Sequence, residues 1–104
     1  MDEALRAFAD RTRRQILALV WDKERTAGEI ARRFAISRPA VSQHLGVLRA
    51  SKLVTLRRAG TRYLYRANHS AIAQLRAELG MFWDGRLARL RDQAEAAERK
   101  RRRP

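Results

Sequence analysis

Cysteine and long apolar runs are both absent from this sequence. Without cysteine the chain can form no disulfide and has no thiolate nucleophile, and it lacks the commonest ligands for soft metal ions. No apolar run approaches the ~20 residues needed to cross a bilayer, and no signal-peptide pattern opens the chain. These absences favour a cytoplasmic protein, and a length of 104 residues favours a single domain with one core.

Carboxylates are missing from the middle of the chain. The sequence has 24 basic and 11 acidic residues, a net charge of +13. Residues 1–35 contribute +2 and residues 69–104 contribute +4, whereas residues 36–68 contribute +7 from seven basic and no acidic side chains. A surface that only keeps a protein soluble mixes both signs of charge. Charge of one sign in one third of the chain therefore indicates a surface for a polyanion, with nucleic acid favoured over acidic lipid or an acidic protein.

Apolar residues recur at helical spacing at the start of the chain. Residues 3–9 are predicted to form a short helix. A second helix is predicted after a cap at Asp10 or Thr12, because either side-chain oxygen can accept a hydrogen bond from a free amide of the first turn. Trp21 is expected on the inner side of this second helix.

Two further helix starts have clear local signals. Thr26 with Glu29 three residues later forms a capping box, which predicts a third helix. After a tight connection at residues 35–37, Ser37 is predicted to cap a fourth helix. Pro39 falls in the first turn of that helix, where no backbone N–H is needed.

The apolar period changes from helical to two beyond Leu53. The segments "LVTLRR" and "TRYLYRA" are predicted to be two strands joined around Ala59 and Gly60. The resulting hairpin is called the wing below. Arg62, which flanks the turn of the wing, is expected to have no acidic partner, since no carboxylate occurs from Ile30 to Ala77.

A long helical pattern begins at Ser70 and continues past Gly80 and Gly85. Each glycine costs about 1 kcal/mol relative to alanine, which favours a kink or a break near these positions, first of all near Gly80. Residues 1–98 are assigned to one domain for DNA binding and dimerisation, and residues 99–104 to a basic, disordered tail.

The order of four helices, a basic hairpin and a last helix predicts a winged helix-turn-helix, mainly α with a small β-hairpin wing and five or six helices. The fourth helix would enter the major groove, which is ~12 Å wide and accepts one helix. Its polar face carries hydroxyl and amide groups suited to base edges around a glycine that keeps the surface low. The predicted DNA contacts in this recognition helix are Ser37, Arg38, Pro39, Ser42, Gln43, Gly46 and Arg49, and those in the wing are Arg57, Arg58, Thr61 and Arg62.

The last helix carries an apolar stripe that a folded monomer would leave exposed. Its aromatic pair could line a ligand pocket, although aromatics at helical spacing are more often core or interface. A homodimer built on the first and last helices would cover the stripe. The predicted interface residues are Leu5, Phe8, Leu75, Leu79, Phe82, Trp83, Leu87 and Leu90.

No catalytic or metal-binding set is predicted. Ser42 and His44 lie about 200° apart around a helix, so they cannot form a nucleophile and base pair. His44 is expected to be packed or half-buried, and His69 to be a capping or surface residue. Two histidines 25 residues apart make a poor metal set, and no imidazole accompanies the last-helix acids Asp84, Asp92 and Glu95. The protein is therefore expected not to be an enzyme and to bind no metal or cofactor.

Three segments resemble the ArsR family of bacterial winged-helix transcriptional repressors: "ALRAFADRTRRQILALV", "AGEIARRFAISRPAVSQHLGVLRASKLV" and "AGTRYLYRAN", within residues 4–68. The segment "FWDGRLARL" is similar to a metal-independent branch, and "EIARRF" lacks the cysteine pair of the metal-sensing members. The resemblance implies a homodimer that binds double-stranded DNA at a near-palindromic operator. It also implies a repressor, often of its own operon, in the bacterial cytoplasm and on the nucleoid when bound. It identifies no operator sequence and no small-molecule effector.

Two other classes of function fit parts of the pattern. An architectural or RNA-binding protein would suit the excess positive charge, but the face with Ser42 and Gln43 argues for sequence preference. A membrane-surface protein could use residues 70–98 as a basic amphipathic helix, although dimer burial explains the apolar stripe better. The leading prediction is a sequence-specific DNA-binding regulator.

Overall fold

The computed structural model describes residues 2–102, which form five helices and one two-stranded hairpin. The chain order confirms the predicted winged helix-turn-helix arrangement. The elements are α1 (Asp2–Ala9), α2 (Arg11–Leu19), α3 (Ala27–Ala31), α4 (Arg38–Ala50), β1 (Val54–Ala59), β2 (Arg62–Ala67) and α5 (His69–Arg102).

The predicted helix caps form as local hydrogen bonds. Asp10, the first of the two alternatives for α2, accepts from the backbone N–H of Arg13 over 3.0 Å. Thr26 accepts from the backbone N–H of Glu29 over 3.1 Å, and its hydroxyl donates to the Glu29 carboxylate over 3.1 Å. Ser37 accepts from a first-turn amide of α4 over 3.3 Å. These caps fix where the two helices of the helix-turn-helix begin.

The core takes buried side chains from all five helices and both strands. Trp21 is not part of it: the residue follows the end of α2 and is 38% exposed, which corrects the predicted inward position. Helical spacing was misleading there because α2 ends at Leu19 and the chain turns away. The buried core residues include Ala7, Ile16, Leu17, Val20, Ile30, Val41, Leu45, Leu48, Leu53, Val54, Ala67 and Leu75.

The wing is an antiparallel hairpin whose register runs from Val54 opposite Ala67 to Ala59 opposite Arg62. Its turn contains Gly60 at φ +64°, a conformation in which glycine avoids the steric cost of a side chain. The backbones of Arg25 and Tyr65 exchange two hydrogen bonds of 3.1 and 2.8 Å. This bridge attaches the wing to the segment between α2 and α3.

The last helix is one continuous element of 34 residues, His69–Arg102. Asn68 caps it by accepting from a first-turn amide over 3.2 Å. The helix does not break at Gly80 or Gly85, and it includes residues 99–102 of the tail that the charge run predicts to be disordered. Arg103 and Pro104 of that tail lie outside the described residues.

Helix α5 projects well beyond the rest of the molecule, whose extents are 75 × 27 × 20 Å. From Gly80 to Arg101 every residue except Ala88 is exposed. None of the helices in the described part of the chain has both the length and the apolar character that a bilayer crossing requires.

Candidate nucleic-acid interface

Helix α4 has one buried face and one exposed face. Val41, Leu45 and Leu48 are buried in the core, which fixes the rotation of the helix about its axis. The six residues within α4 that are predicted to contact DNA fall within an arc of about 140° at 100° per residue, and the seventh, Ser37, is the N-cap of the helix. All of them are exposed: Ser37, Arg38, Pro39, Ser42, Gln43, Gly46 and Arg49.

The polar side chains on this face are available to a ligand. Within residues 2–102, those of Arg38, Ser42, Gln43 and Arg49 make no hydrogen bond or ion pair to another part of the protein. A Cβ atom at Gly46 would meet nothing within 4 Å, so the glycine leaves open space in the middle of the face. The recognition helix therefore presents uncommitted donors and acceptors around a low centre.

The wing carries four exposed residues predicted to contact DNA, but two of its arginines have acidic partners. Arg57 forms a bidentate pair with Glu24, with N–O distances of 2.9 and 3.2 Å. The Nη2 atom of Arg62 lies 2.7 Å from Oε1 of Glu29. The expectation that Arg62 lacks an acidic partner is wrong. The four wing residues are Arg57, Arg58, Thr61 and Arg62.

The two acids come from the segment before the recognition helix. Each lies 33 positions before its arginine, and the backbone bridge between Arg25 and Tyr65 brings the two segments together. Local sequence signals do not report such a distance. The alternation of apolar residues along the wing strands indicates only that one face of the hairpin packs against another part of the protein.

One group in each pair, Glu29 and Arg57, has a pKa shifted in the direction that favours its charged form. Partial burial raises the pKa of Glu29, but hydrogen bonds from Thr26 and the charges of Arg62 and Arg25 outweigh it and hold the pKa below its usual value. The carboxylate of Glu24 raises the pKa of Arg57 through hydrogen bonding and charge. Both shifts therefore favour the ion pairs.

The remaining wing groups are oriented by contacts within the hairpin. The Nε atom of Arg58 donates to the carbonyl oxygen of Gly60 over 3.0 Å, and its guanidinium carbon lies 5.9 Å from the centre of the Tyr63 ring. Thr61 is exposed in the turn. Arg66, which the sequence reasoning missed, is an exposed cation on the strand face of Arg62, as two-residue alternation could have shown.

The histidines occupy structural positions. His44 is half-buried, and its Nδ1 atom lies 3.3 Å from Nη1 of Arg13. His69 is exposed at the start of α5, where its ring stacks on Trp21 with centroids 4.2 Å apart. In the part of the chain that the structure describes, no three histidine, aspartate or glutamate side chains are placed to hold a metal ion.

The residues predicted for a dimer interface differ in exposure. Leu5 and Phe8 on α1 and Leu79 on α5 are half-buried, whereas Leu75 is 4% exposed and belongs to the core of its own chain. The outer part of the stripe is about half exposed and consists of Phe82, Trp83, Leu87 and Leu90.

Comparisons with known proteins agree with this geometry. A family model described as a helix-turn-helix domain matches residues 8–57. The HTH-type transcriptional regulator Rv2034 of Mycobacterium tuberculosis is 46% identical over 82 residues, which cover 79% of this chain and 77% of that protein. The transcriptional repressor SdpR of Bacillus subtilis is 36% identical over 72 residues, which cover 69% of this chain and 80% of that protein.

Solved structures give the same result. A possible transcriptional regulator for arsenical resistance has a TM-score of 0.74 and 39% identity, over 89% of this chain and 96% of its own. An ArsR-like transcriptional regulator from Rhodococcus has a TM-score of 0.69 and 31% identity, over 89% and 91% of the two chains. The chain belongs to the ArsR family.

A further neighbour is a homodimeric winged helix-turn-helix DNA-binding domain from Mycobacterium bovis, described as a possible ArsR-family transcriptional regulator. It has a TM-score of 0.65 and 32% identity, over 80% of this chain and 77% of its own. Membership in the ArsR family makes the protein a DNA-binding transcriptional regulator and confirms that it is not an enzyme. In helix-turn-helix proteins the second helix of the motif generally lies in the major groove, and α4 is the second helix of the motif in this fold.

Proposed function

We propose that this protein is a homodimeric repressor that recognises an inverted-repeat operator with α4 and contacts the flanking backbone with the wing. The observation that carries this proposal is the uncommitted polar face of α4, opposite a buried apolar face. Burial on one side fixes the helix in the domain, so the free side chains are presented at a defined angle. Such preorganisation suits specific recognition better than general attraction to polyanions.

The recognition helix has suitable chemistry for base edges. The side-chain amide of Gln43 can donate a hydrogen bond to N7 of adenine while its carbonyl oxygen accepts one from the N6 amino group. Such a paired contact is worth ~1–3 kcal/mol of base discrimination. Arg38 and Arg49 can each make a bidentate contact to guanine or bind a phosphate, and Ser42 can bond either kind of group. The open space at Gly46 lets the groove edge approach the helix closely.

The wing supplies a different kind of contact. Arg58 and Thr61 lie at or next to the turn and can reach phosphates or a narrow minor groove. Arg57 and Arg62 already hold the wing against the segment that carries Glu24 and Glu29, so part of their charge is neutralised within the protein. We assign them to wing orientation first and to DNA contact second, through their remaining N–H groups.

The dimer follows from the projecting part of α5. An isolated helix is marginal in water, and this one exposes aromatic and leucine side chains along its outer length. The Mycobacterium bovis domain is homodimeric, which supports a homodimer for this chain as well. The proposed interface comprises Leu5, Phe8, Leu79, Phe82, Trp83, Leu87 and Leu90, without Leu75, which is buried in its own chain.

A two-fold axis through this interface determines the form of the operator. It sets the two recognition helices ~34–36 Å apart, one turn of duplex, and requires two half-sites in inverted orientation. We further propose that the protein acts in the bacterial cytoplasm, on the nucleoid, and that its targets include its own operon. SdpR is named a repressor, which supports the same direction of regulation for this chain.

Selection of binding sites from a random duplex library with the purified protein tests the proposal. We expect an inverted repeat to emerge, and Gln43→Ala to weaken binding to that repeat while binding to random duplex stays almost unchanged. Gln15→Ala, the same substitution on an exposed position of α2, serves as the matched control and should change neither.

Two results would contradict the proposal. A library without a preferred sequence would identify an architectural nucleic-acid-binding protein instead. Equal loss on repeat and random duplex in Gln43→Ala would mean that α4 does not contact base edges. A reporter carrying the selected site upstream of a promoter then measures whether the protein lowers or raises transcription.

A further inference from the structure

The side chain of Arg13 joins two helices that the fold otherwise only packs together. Its Nε atom donates to the carbonyl oxygen of Ala7 over 2.7 Å, and its Nη2 atom to that of Arg6 over 3.1 Å. These carbonyls lie near the C-terminal end of α1, where helical partners are missing. Its third nitrogen, Nη1, lies 3.3 Å from Nδ1 of His44 on α4. One guanidinium thus connects the end of α1 to the recognition helix.

The chemistry of this contact defines the state of the imidazole. A guanidinium can only donate, so Nδ1 of His44 accepts and the ring is neutral with its proton on Nε2. The rigid planar arrangement of the donors lets one side chain satisfy three acceptors at fixed angles. His44 is half-buried and directly follows Gln43 in the chain, so its position bears on the direction of the adjacent exposed side chain.

We propose that Arg13 is a positioning residue that sets the orientation of the recognition helix relative to α1. This inference rests on the proposed function, in which α4 contacts base edges and α1 lies at the dimer interface. If the dimer interface fixes the position of α1, Arg13 fixes the orientation of α4 relative to α1 in each protomer. The two recognition helices are thereby held at a defined separation, although Arg13 itself does not touch DNA.

The chain provides a matched control in the next residue. The Nη1 atom of Arg14 donates to the carbonyl oxygens of Phe8 and Ala9, each over 2.8 Å. Arg14 therefore satisfies the same end of α1 from the same helix, but its hydrogen bonds within residues 2–102 do not include α4. A comparison of Arg13→Lys with Arg14→Lys separates support of α1 from orientation of α4.

The first measurement is affinity for the selected operator and for random duplex, made where sedimentation shows every variant to be dimeric. Arg13→Lys and His44→Leu should each weaken operator binding ~10-fold, within the range typical of coupling between sites, with little change on random duplex. The double variant should bind the operator no more weakly than either single variant, since both substitutions remove the same contact between Arg13 and His44. His44→Asn, whose Oδ1 can accept in place of Nδ1, should retain most of the affinity, and Arg14→Lys should resemble the wild type.

A second measurement reports orientation directly. One base pair inserted between the half-sites should weaken wild-type binding strongly, because the recognition helices are held at a fixed separation. Arg13→Lys should show a clearly smaller penalty for the insertion, whereas Arg14→Lys should keep the full penalty. Nitrogen NMR of the ring should show the Nε2–H tautomer in the wild type and a mixture of tautomers in Arg13→Lys.

The outcomes separate this inference from the function on which it rests. Additive losses in the double variant, or an unchanged insertion penalty in Arg13→Lys, would overturn the role of Arg13. Such a result beside an operator-specific loss in Gln43→Ala would leave the proposed function intact. If Gln43→Ala showed no operator-specific loss, the proposed function itself would fail. Should Arg13→Lys not fold, the pair His44→Leu and His44→Asn carries the same tests.

Discussion

The carboxylate of Glu29 accepts a hydrogen bond from the Arg62 guanidinium over 2.7 Å while it also bonds to the hydroxyl of Thr26 at the start of α3. One side chain therefore joins the wing to the first helix of the helix-turn-helix. The same contact neutralises a positive charge on the surface assigned to DNA. Wing orientation and DNA attraction thus compete for one arginine.

Replacement of Glu29 by glutamine should strengthen DNA binding. Glutamine still suits the third position of a capping box, so α3 should remain intact, while Arg62 loses its charged partner. We expect tighter binding to both operator and random duplex. The slope of log affinity against log salt should steepen by up to about 0.9 if one phosphate contact is gained. Glu3→Gln makes the same charge change on an exposed position of α1, and an equal effect there would show that only net charge matters.

Replacement of Arg58 and of Arg62 should change the salt dependence of DNA binding by different amounts. Arg58 has no carboxylate partner in the described residues, so Arg58→Ala should weaken both DNAs and reduce the salt slope by about 0.9 if it binds one phosphate. Arg62→Ala should reduce the slope by less, since Glu29 already neutralises part of its charge. Titrations at several salt concentrations compare the two, and a larger slope change for Arg62 would contradict this assignment.

The stripe on α5 should control assembly. A carboxylate at Leu87 or Leu90 would be buried without a partner in the proposed dimer, so Leu87→Glu and Leu90→Glu should give monomers. Sedimentation velocity at micromolar concentration measures this, and operator affinity should fall with it. Ala96→Glu introduces the same charge at an exposed position about 120° around the helix from Leu90 and should remain dimeric. Dimers of normal strength in both leucine variants would place the interface elsewhere.

Asp10 should make the stability depend on acid. A backbone hydrogen bond from Arg13 lowers the pKa of Asp10 below 3.8; partial burial opposes the shift, and the charge of Arg13 assists it. Because the folded pKa is depressed, this stabilisation is present above pH 3.8 and is lost as the pH falls through the folded value.

Denaturant titrations at several pH values test the role of Asp10. Asp10→Ala should cost about 1 kcal/mol at neutral pH because α2 loses its cap, and the difference from the wild type should shrink below the folded pKa. Asp10→Asn keeps an oxygen at the cap, so it should retain most of the neutral stability without the acid dependence. A constant difference between Asp10→Ala and the wild type at every pH would contradict the charge contribution.

Features encoded over a few residues were predictable from the sequence. The caps at Thr26 and Ser37 depend on partners three positions away, and the change of apolar period at Leu53 marks the first strand directly. The exposed face of α4 follows from the buried positions of its apolar residues. Each of these depends on neighbours in the chain, so the residue pattern alone contains the information.

Features that depend on distant segments were not predictable. The carboxylate-free stretch of sequence is not free of carboxylates in space, because Glu24 and Glu29 reach the wing across 33 positions. The contact between Arg13 and His44 spans 31 positions. The sequence predicts a long last helix but leaves open a kink or a break at its glycines; α5 runs through both, since two local penalties of about 1 kcal/mol each are outweighed by many good helix formers around them.

The outer part of α5 has nothing of its own chain to lie on. Such a helix is ordered when a second copy covers it, and pairing depends on how many copies are present. At low concentration the protein should be monomeric, with the outer part of α5 unfolded and open to cellular proteases; at high concentration the dimer should protect it. Pulse-chase labelling at two expression levels should therefore give a shorter half-life at the lower level. The lifetime of the protein would then depend on its own concentration. After synthesis stops, the rate constant of degradation should rise as the concentration falls and more of the protein becomes monomeric.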